Sequence, residues 1–135
     1  MCFEFEFSLF LLCHHLVIDV TDQCDYDVEN DDIQIKDFVN LAEELELDYL
    51  IEVHDLDELK RVQAYKNAII GVNNRNLKTF EVDLNNSINL REEFQSDNIF
   101  VAESGIKNQS DIDLLKENNI HVFLIGESLM RGDFA

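Results

Sequence analysis

The sequence predicts an α/β fold with parallel strands, on three observations. From Asp37 onward the hydrophobic periodicity switches between helical and strand spacing, the connections between these segments are short, and four brief apolar runs recur with helical patterns between them. Phe38, Leu41, Ala42 and Leu45 recur at helical spacing through residues 36–47, and residues 49–53 follow as a short apolar strand. Asp55 reads as an N-cap with Glu58 three residues on, a capping box that opens a helix carrying Leu56, Leu59, Val62 and Tyr65. Residues 68–72 form the next apolar strand. After the polar loop 73–78, a weaker helical pattern covers residues 87–94, and residues 99–102 make a third strand. Ser110 is placed to cap a helix carrying Ile112, Leu114 and Leu115; residues 122–125 are a fourth strand, followed by Gly126 and a short turn over 128–131.

The first 36 residues read as a separate, divergent segment, and residues 37–135 as the regular part. Phe3, Phe5 and Phe7 alternate with Glu4, Glu6 and Ser8, the period-two pattern of a strand with one wet face, and residues 16–20 read as another strand. The acidic stretch 21–32 has little apolar content and reads as a solvated loop. No Pro occurs, no Gly occurs before Gly71, and no repeat of fixed period is present.

Composition excludes several classes of function. At 135 residues the chain is one domain's worth, and 46% hydrophobic with 29% charged residues are ordinary globular values that set aside disorder and low complexity. The net charge of −19 repels phosphate backbones and anionic membrane surfaces, so nucleic acid and membranes are not expected partners. The acid is uneven: residues 1–60 hold eighteen acids and two bases, residues 61–135 eleven and eight, so the second half has room for a local anion site. Cys2, Cys13 and Cys24 form no CxxC pair and read as reduced thiols of a cytoplasmic protein. The apolar stretch around His14 and His15 is too short for a membrane span and lacks the basic flank of a signal peptide. No metal or cofactor is called for.

In parallel α/β architectures functional groups gather at the carboxyl ends of the strands. Glu52 falls there after the first strand of the alternating run, Asn73, Asn74 and Arg75 after the second, Glu103, Ser104 and Gly105 after the third, and Gly126, Glu127 and Ser128 after the fourth. Each has a plain alternative: a paired or solvent-facing Glu, an Asn-rich turn, glycine corners between strand and helix. His54 and His121 sit at strand boundaries and read as structural. Co-location at one kind of strand end is what raises the set above these alternatives.

Four segments, LIEVHDLDEL at 50–59, IIGVNNRNLKTFEVDL at 69–84, VAESGIK at 101–107 and FLIGESLMR at 123–131, resemble the carboxyl-terminal half of indole-3-glycerol phosphate synthase in order and spacing. The resemblance covers about residues 37–131 and implies a partial (β/α)8 TIM barrel, about its last four β/α units. It implies the family's reaction, the cofactor-free ring closure and decarboxylation of 1-(2-carboxyphenylamino)-1-deoxyribulose 5-phosphate in tryptophan biosynthesis. By motif, Glu52 resembles the general base, and Asn73 and Arg75 the residues that order the substrate and neighbouring carboxylates. Glu103 and Ser104 resemble the seventh-strand pair that contacts the substrate, and Gly105, Gly126 and Glu127 match the phosphate cradle. The family's third-strand lysine acid, its first-strand Glu and Lys and its Ser-Pro-Ser loop have no counterpart here. A full barrel is about 250 residues, so roughly half is present. The open edges and exposed apolar face call for a complementary amino-terminal half-barrel chain, a second copy or a repacked topology, with the Phe3, Phe5, Phe7 strand covering an edge or part of that face. The alternative functions are a non-catalytic phosphate-binding or assembly module and, last, another phosphosugar barrel enzyme.

Overall fold

A computed structural model describes residues 15–19 and 28–135. The Phe3, Phe5, Phe7 strand and the three cysteines lie outside the described residues. Five strands, β1 (His15–Asp19), β2 (Asp48–Val53), β3 (Ile69–Asn73), β4 (Phe100–Glu103) and β5 (Val122–Leu124), form one parallel sheet. Between them run α1 (Val28–Glu44), α2 (Leu56–Val62), α3 (Asn85–Glu93) and α4 (Gln109–Glu117), and α5 (Glu127–Arg131) follows β5.

Strand order in the sheet is the order in sequence, β1-β2-β3-β4-β5. A doubly wound sheet reverses order at a switch point; a barrel wall does not. The register confirms one continuous wall: Ile18 pairs with Ile51, Ile51 with Ile70, Ile70 with Phe100, and Val101 with Val122.

The two faces of this wall differ. Tyr49, Ile51, Val53, Ile70, Val72 and Ala102 point to the helix side and are buried to 2% exposure or less. On the other face Leu50, Glu52 and Ile69 are half-buried, and Val122 and Leu124 stand 44% and 57% exposed. Helices supply the outer layer because their apolar stripes need a partner and the β-branched strand face is one.

Three expectations are corrected. Residues 28–32 belong to α1, not to a solvated loop. The buried stripe of α1 is Ile35, Val39 and Ala42, with Phe38 half-buried, whereas Leu41 and Leu45 are 47% and 58% exposed. The cap of α4 is Asn108, whose side chain accepts from the Asp111 amide at 3.0 Å, while Ser110 sits inside the first turn. Asn and Ser both cap well, so composition alone did not separate them.

At the amino end of β2 the buried Tyr49 hydroxyl donates to Glu43 Oε1 at 3.0 Å. Burial first, then the Glu43 hydrogen bond and charge, push its phenol up to about 12. The folded state therefore holds this proton more tightly than the unfolded chain, where the phenol titrates near 10. Its contribution to stability is complete below pH 10 and is lost as pH rises from 10 to 12. Urea titrations at pH 8 and pH 11 should show a fall for wild type that Tyr49→Phe reduces; equal falls would remove Tyr49 as its source.

Candidate active site

Because the strands are parallel and start in step, their carboxyl ends meet at one rim. Glu52 is the penultimate residue of β2, Asn73 ends β3, Glu103 ends β4, and Glu127 opens α5 just past β5. In the register Glu52 lies beside Gly71, and Asn73 beside Glu103.

Asn73 is the hinge of the polar line. Its Nδ2 donates to Glu52 Oε1 at 2.8 Å, and its Oδ1 accepts from the Arg75 amide at 2.9 Å. With both ends of the amide engaged, the Glu52 rotamer and the direction of the chain after β3 are set together. His54 adds a second group to the same carboxylate, its Nε2 at 3.5 Å from Glu52 Oε1.

The loop after β3 closes into a small hairpin. Arg75 bridges Val82, and the Asn76 side chain accepts from the Lys78 and Thr79 amides at 2.8 and 3.1 Å. The Arg75 guanidinium reaches past the end of β4 to Glu127 Oε2 at 2.6 Å, and Arg131 holds Glu127 Oε1 at 3.0 Å. Glu127 thus enters the rim as a carboxylate shared by two cations, which offsets its negative charge.

Glu103 is 4% exposed, and its position explains a glycine. A Cβ at Gly71 would stand 2.0 Å from Glu103 Oε1 and 2.9 Å from Leu50 Cδ2, so the carboxylate crosses β3 through the space a side chain would fill. Ser104 and Gly105 turn the chain out of β4 with φ of 65° and 78°, and a Cβ at Gly105 would meet Val82 Cγ1 at 2.0 Å. Gly126 differs: nothing lies within 4 Å of where its Cβ would be.

Buried Asn74 ties these turns together. Its Oδ1 accepts from the Ser87 amide at 3.0 Å and hydroxyl at 2.7 Å, and its Nδ2 donates to the Ser104 carbonyl at 3.3 Å. Asn86 donates to the carbonyls of His54 and Asn73 at 2.9 and 3.2 Å, and Ser128 to that of Ile106 at 2.8 Å. Three successive loops are thereby cross-linked by side chains.

The model of the indole-3-glycerol phosphate synthase family matches residues 28–134. The chain belongs to that family. It is 46% identical over 103 residues to an indole-3-glycerol phosphate synthase of Legionella pneumophila, a match spanning 76% of this chain and 40% of the relative. It is 51% identical over 102 residues to one of Koribacter versatilis, 76% of this chain and 39% of the relative, and 46% identical over 101 residues to one of Acinetobacter baylyi, 74% and 38%. The chain therefore spans about 40% of the length of these relatives, and the five-stranded parallel sheet in sequential order is a partial (β/α)8 barrel of the synthase family.

In barrel terms the helix-covered face is the outside of the wall, and the half-open face with Leu50, Glu52, Asn73 and Glu103 is its interior. The residues singled out in the sequence, Glu52, Asn73, Arg75, Glu103, Ser104, Gly105 and Glu127, fall on or around this rim in the synthase-family wall. Gly126 is there by chain position alone. Gly71 and Asn86 were not singled out in the sequence, and Asn74 was placed at the strand end without a role of its own. A glycine inside the apolar run 69–72 is a signal that could have pointed to Gly71, since such a residue marks close approach of another group; Asn74 and Asn86 act through contacts that no local pattern encodes.

Proposed function

We propose that this chain carries the carboxyl-terminal half of an indole-3-glycerol phosphate synthase active site and turns over substrate when a complementary half-barrel completes it. The observation that supports the reading most strongly is the line from Glu52 through Asn73 to the Arg75 amide, with Glu103 set beside it through the gap at Gly71. A carboxylate aimed by a fixed amide at the inner rim of a barrel wall is what proton removal from a bound substrate requires.

In this reading the substrate is 1-(2-carboxyphenylamino)-1-deoxyribulose 5-phosphate. Glu52 is the general base that takes up the proton lost as the indole ring becomes aromatic, after ring closure and loss of carbon dioxide. Asn73 fixes Glu52, and Arg75 and Ser104 bind substrate. Glu103 contacts the reacting region, and the backbone at Gly105, Gly126 and Glu127 receives the phosphate, as the family motifs imply. Arg75 is held by Glu127 in the unliganded chain, so a substrate carboxylate would exchange for one protein carboxylate at an exposed pair, a small energetic difference. The acid that protonates the departing hydroxyl comes from the complementary half, either a separate amino-terminal chain or a second copy. The reading calls for no cofactor and for a cytoplasmic setting; among the described residues no helix is long and apolar enough to cross a membrane.

Alone, the chain is expected to show weak or no turnover, because loss of a catalytic acid costs a factor of about 10² to 10⁴. Adding the unmatched amino-terminal part of the Koribacter versatilis relative should restore indoleglycerol phosphate formation. Formation of a stable complex without turnover would instead favour a non-catalytic binding or assembly module.

A further inference from the structure

His54 lies between two carboxylates on two different elements. Its Nε2 is 3.5 Å from Glu52 Oε1, and its Nδ1 is 3.5 Å from Glu58 Oε2; the imidazole is 14% exposed. Glu58 is itself 7% exposed and fixed, since its Oε2 accepts the His54 amide at 2.6 Å and its own amide is capped by Asp55 Oδ1 at 2.9 Å. From α3, Asn86 grips the His54 carbonyl at 2.9 Å. Backbone and ring are thus anchored from β2, α2 and the start of α3.

A ring nitrogen facing a carboxylate oxygen is placed to act as an N–H donor toward it. Nε2 and the Asn73 amide address the same oxygen of Glu52, Oε1. Among the described residues the polar contacts of Glu52 fall on Oε1.

We propose that His54 is a positioning residue of the synthase site: held by Glu58, it presents Nε2–H to Glu52 Oε1 and, with Asn73, dedicates Glu52 Oε2 to proton abstraction. The proposal rests on the reading of Glu52 as general base. It gives Glu58, in the first turn of α2, two tasks: its carboxylate accepts the His54 amide where a capping box would take the Asp55 amide, and it faces the ring that orients the base. At 3.5 Å the His54–Glu52 contact is an ion-pair distance, longer than a hydrogen bond.

Two measurements test this, one of them independent of turnover. In the complete chain, ¹⁵N–¹H long-range correlation spectra at pH 7 should show His54 Nε2 protonated; an unprotonated Nε2 overturns the proposal whether or not the reconstituted enzyme is active. In the complex with the amino-terminal half, His54→Leu should lower kcat about tenfold with KM within twofold, and His54→Gln, whose amide nitrogen reaches the Nε2 position, should recover most of the loss. Variants that melt alike but share an unchanged kcat, or a Gln variant as slow as Leu, would also overturn it. Absence of turnover in the wild-type complex counts against the synthase reading, and the spectrum still decides the state of the ring.

Discussion

With the amino-terminal half supplied, Glu52→Gln should lower turnover by a factor of about 10² to 10⁴ while leaving the fold intact. Glutamine keeps the shape of the side chain and an Oε1 that can still accept from Asn73 Nδ2, the contact that measures 2.8 Å in the wild type. What it lacks is the capacity to take a proton. The expected signature is a fall in kcat with KM nearly unchanged and a melting temperature close to wild type. Turnover within tenfold of wild type would dismiss Glu52 as the base and leave the synthase-family wall without its main chemical group.

Gly71→Ala should produce a comparable separation of activity from stability by a different route. The new methyl would lie 2.0 Å from Glu103 Oε1 and 2.9 Å from Leu50 Cδ2. Both are ends of rotatable side chains, so the backbone of β3 need not move and the folding cost stays near 1–3 kcal/mol. Glu103 cannot stay where it is, however, and displacement of a substrate-contacting group by about 1 Å can cost a factor of about 100 in rate. The paired variants Gly71→Ala and Gly71→Ala with Glu103→Gln should therefore have nearly the same activity, because the alanine has already removed the carboxylate from its place. A strongly additive double variant would show that Glu103 keeps its position and that Gly71 serves only strand packing.

The alternation of helix and strand was legible because each β/α unit carries its own local signals: the apolar run 49–53, the Asp55 and Glu58 capping box, the apolar run 68–72. These are short-range patterns, and the fold follows them to within a few residues. The start of α1 was not legible, since residues 28–32 are mostly acidic and their helical state depends on the run from Ile35 to Ala42 packing behind them. Leu41 and Leu45 misled for the related reason that two stripes at helical spacing overlap on α1, and only the sheet decides which is buried.

At the rim the residue types were legible and their division of labour was not. Glu52, Asn73 and Glu103 could be placed at strand ends by periodicity alone. That Asn73 aims Glu52, that Gly71 yields its space to Glu103 and that Asn74 binds two groups of Ser87 on α3 and the Ser104 carbonyl after β4 are consequences of how the strands and helices come together, which no single segment contains. His54, read from the sequence as structural, is next to the candidate base only because the strand end and the cap of α2 converge there.

The sequential strand order has a consequence for how the chain is made. Val17 meets Leu50, Ile51 meets Ile70, Gly71 meets Val101 and Val101 meets Val122, so each pairing spans a similar, modest stretch of chain. Loop-closure entropy grows only slowly over such lengths, and no strand has to wait for a distant partner. As the polypeptide leaves the ribosome, assembly can proceed vectorially, each strand adding to the edge left by the strand before it in sequence.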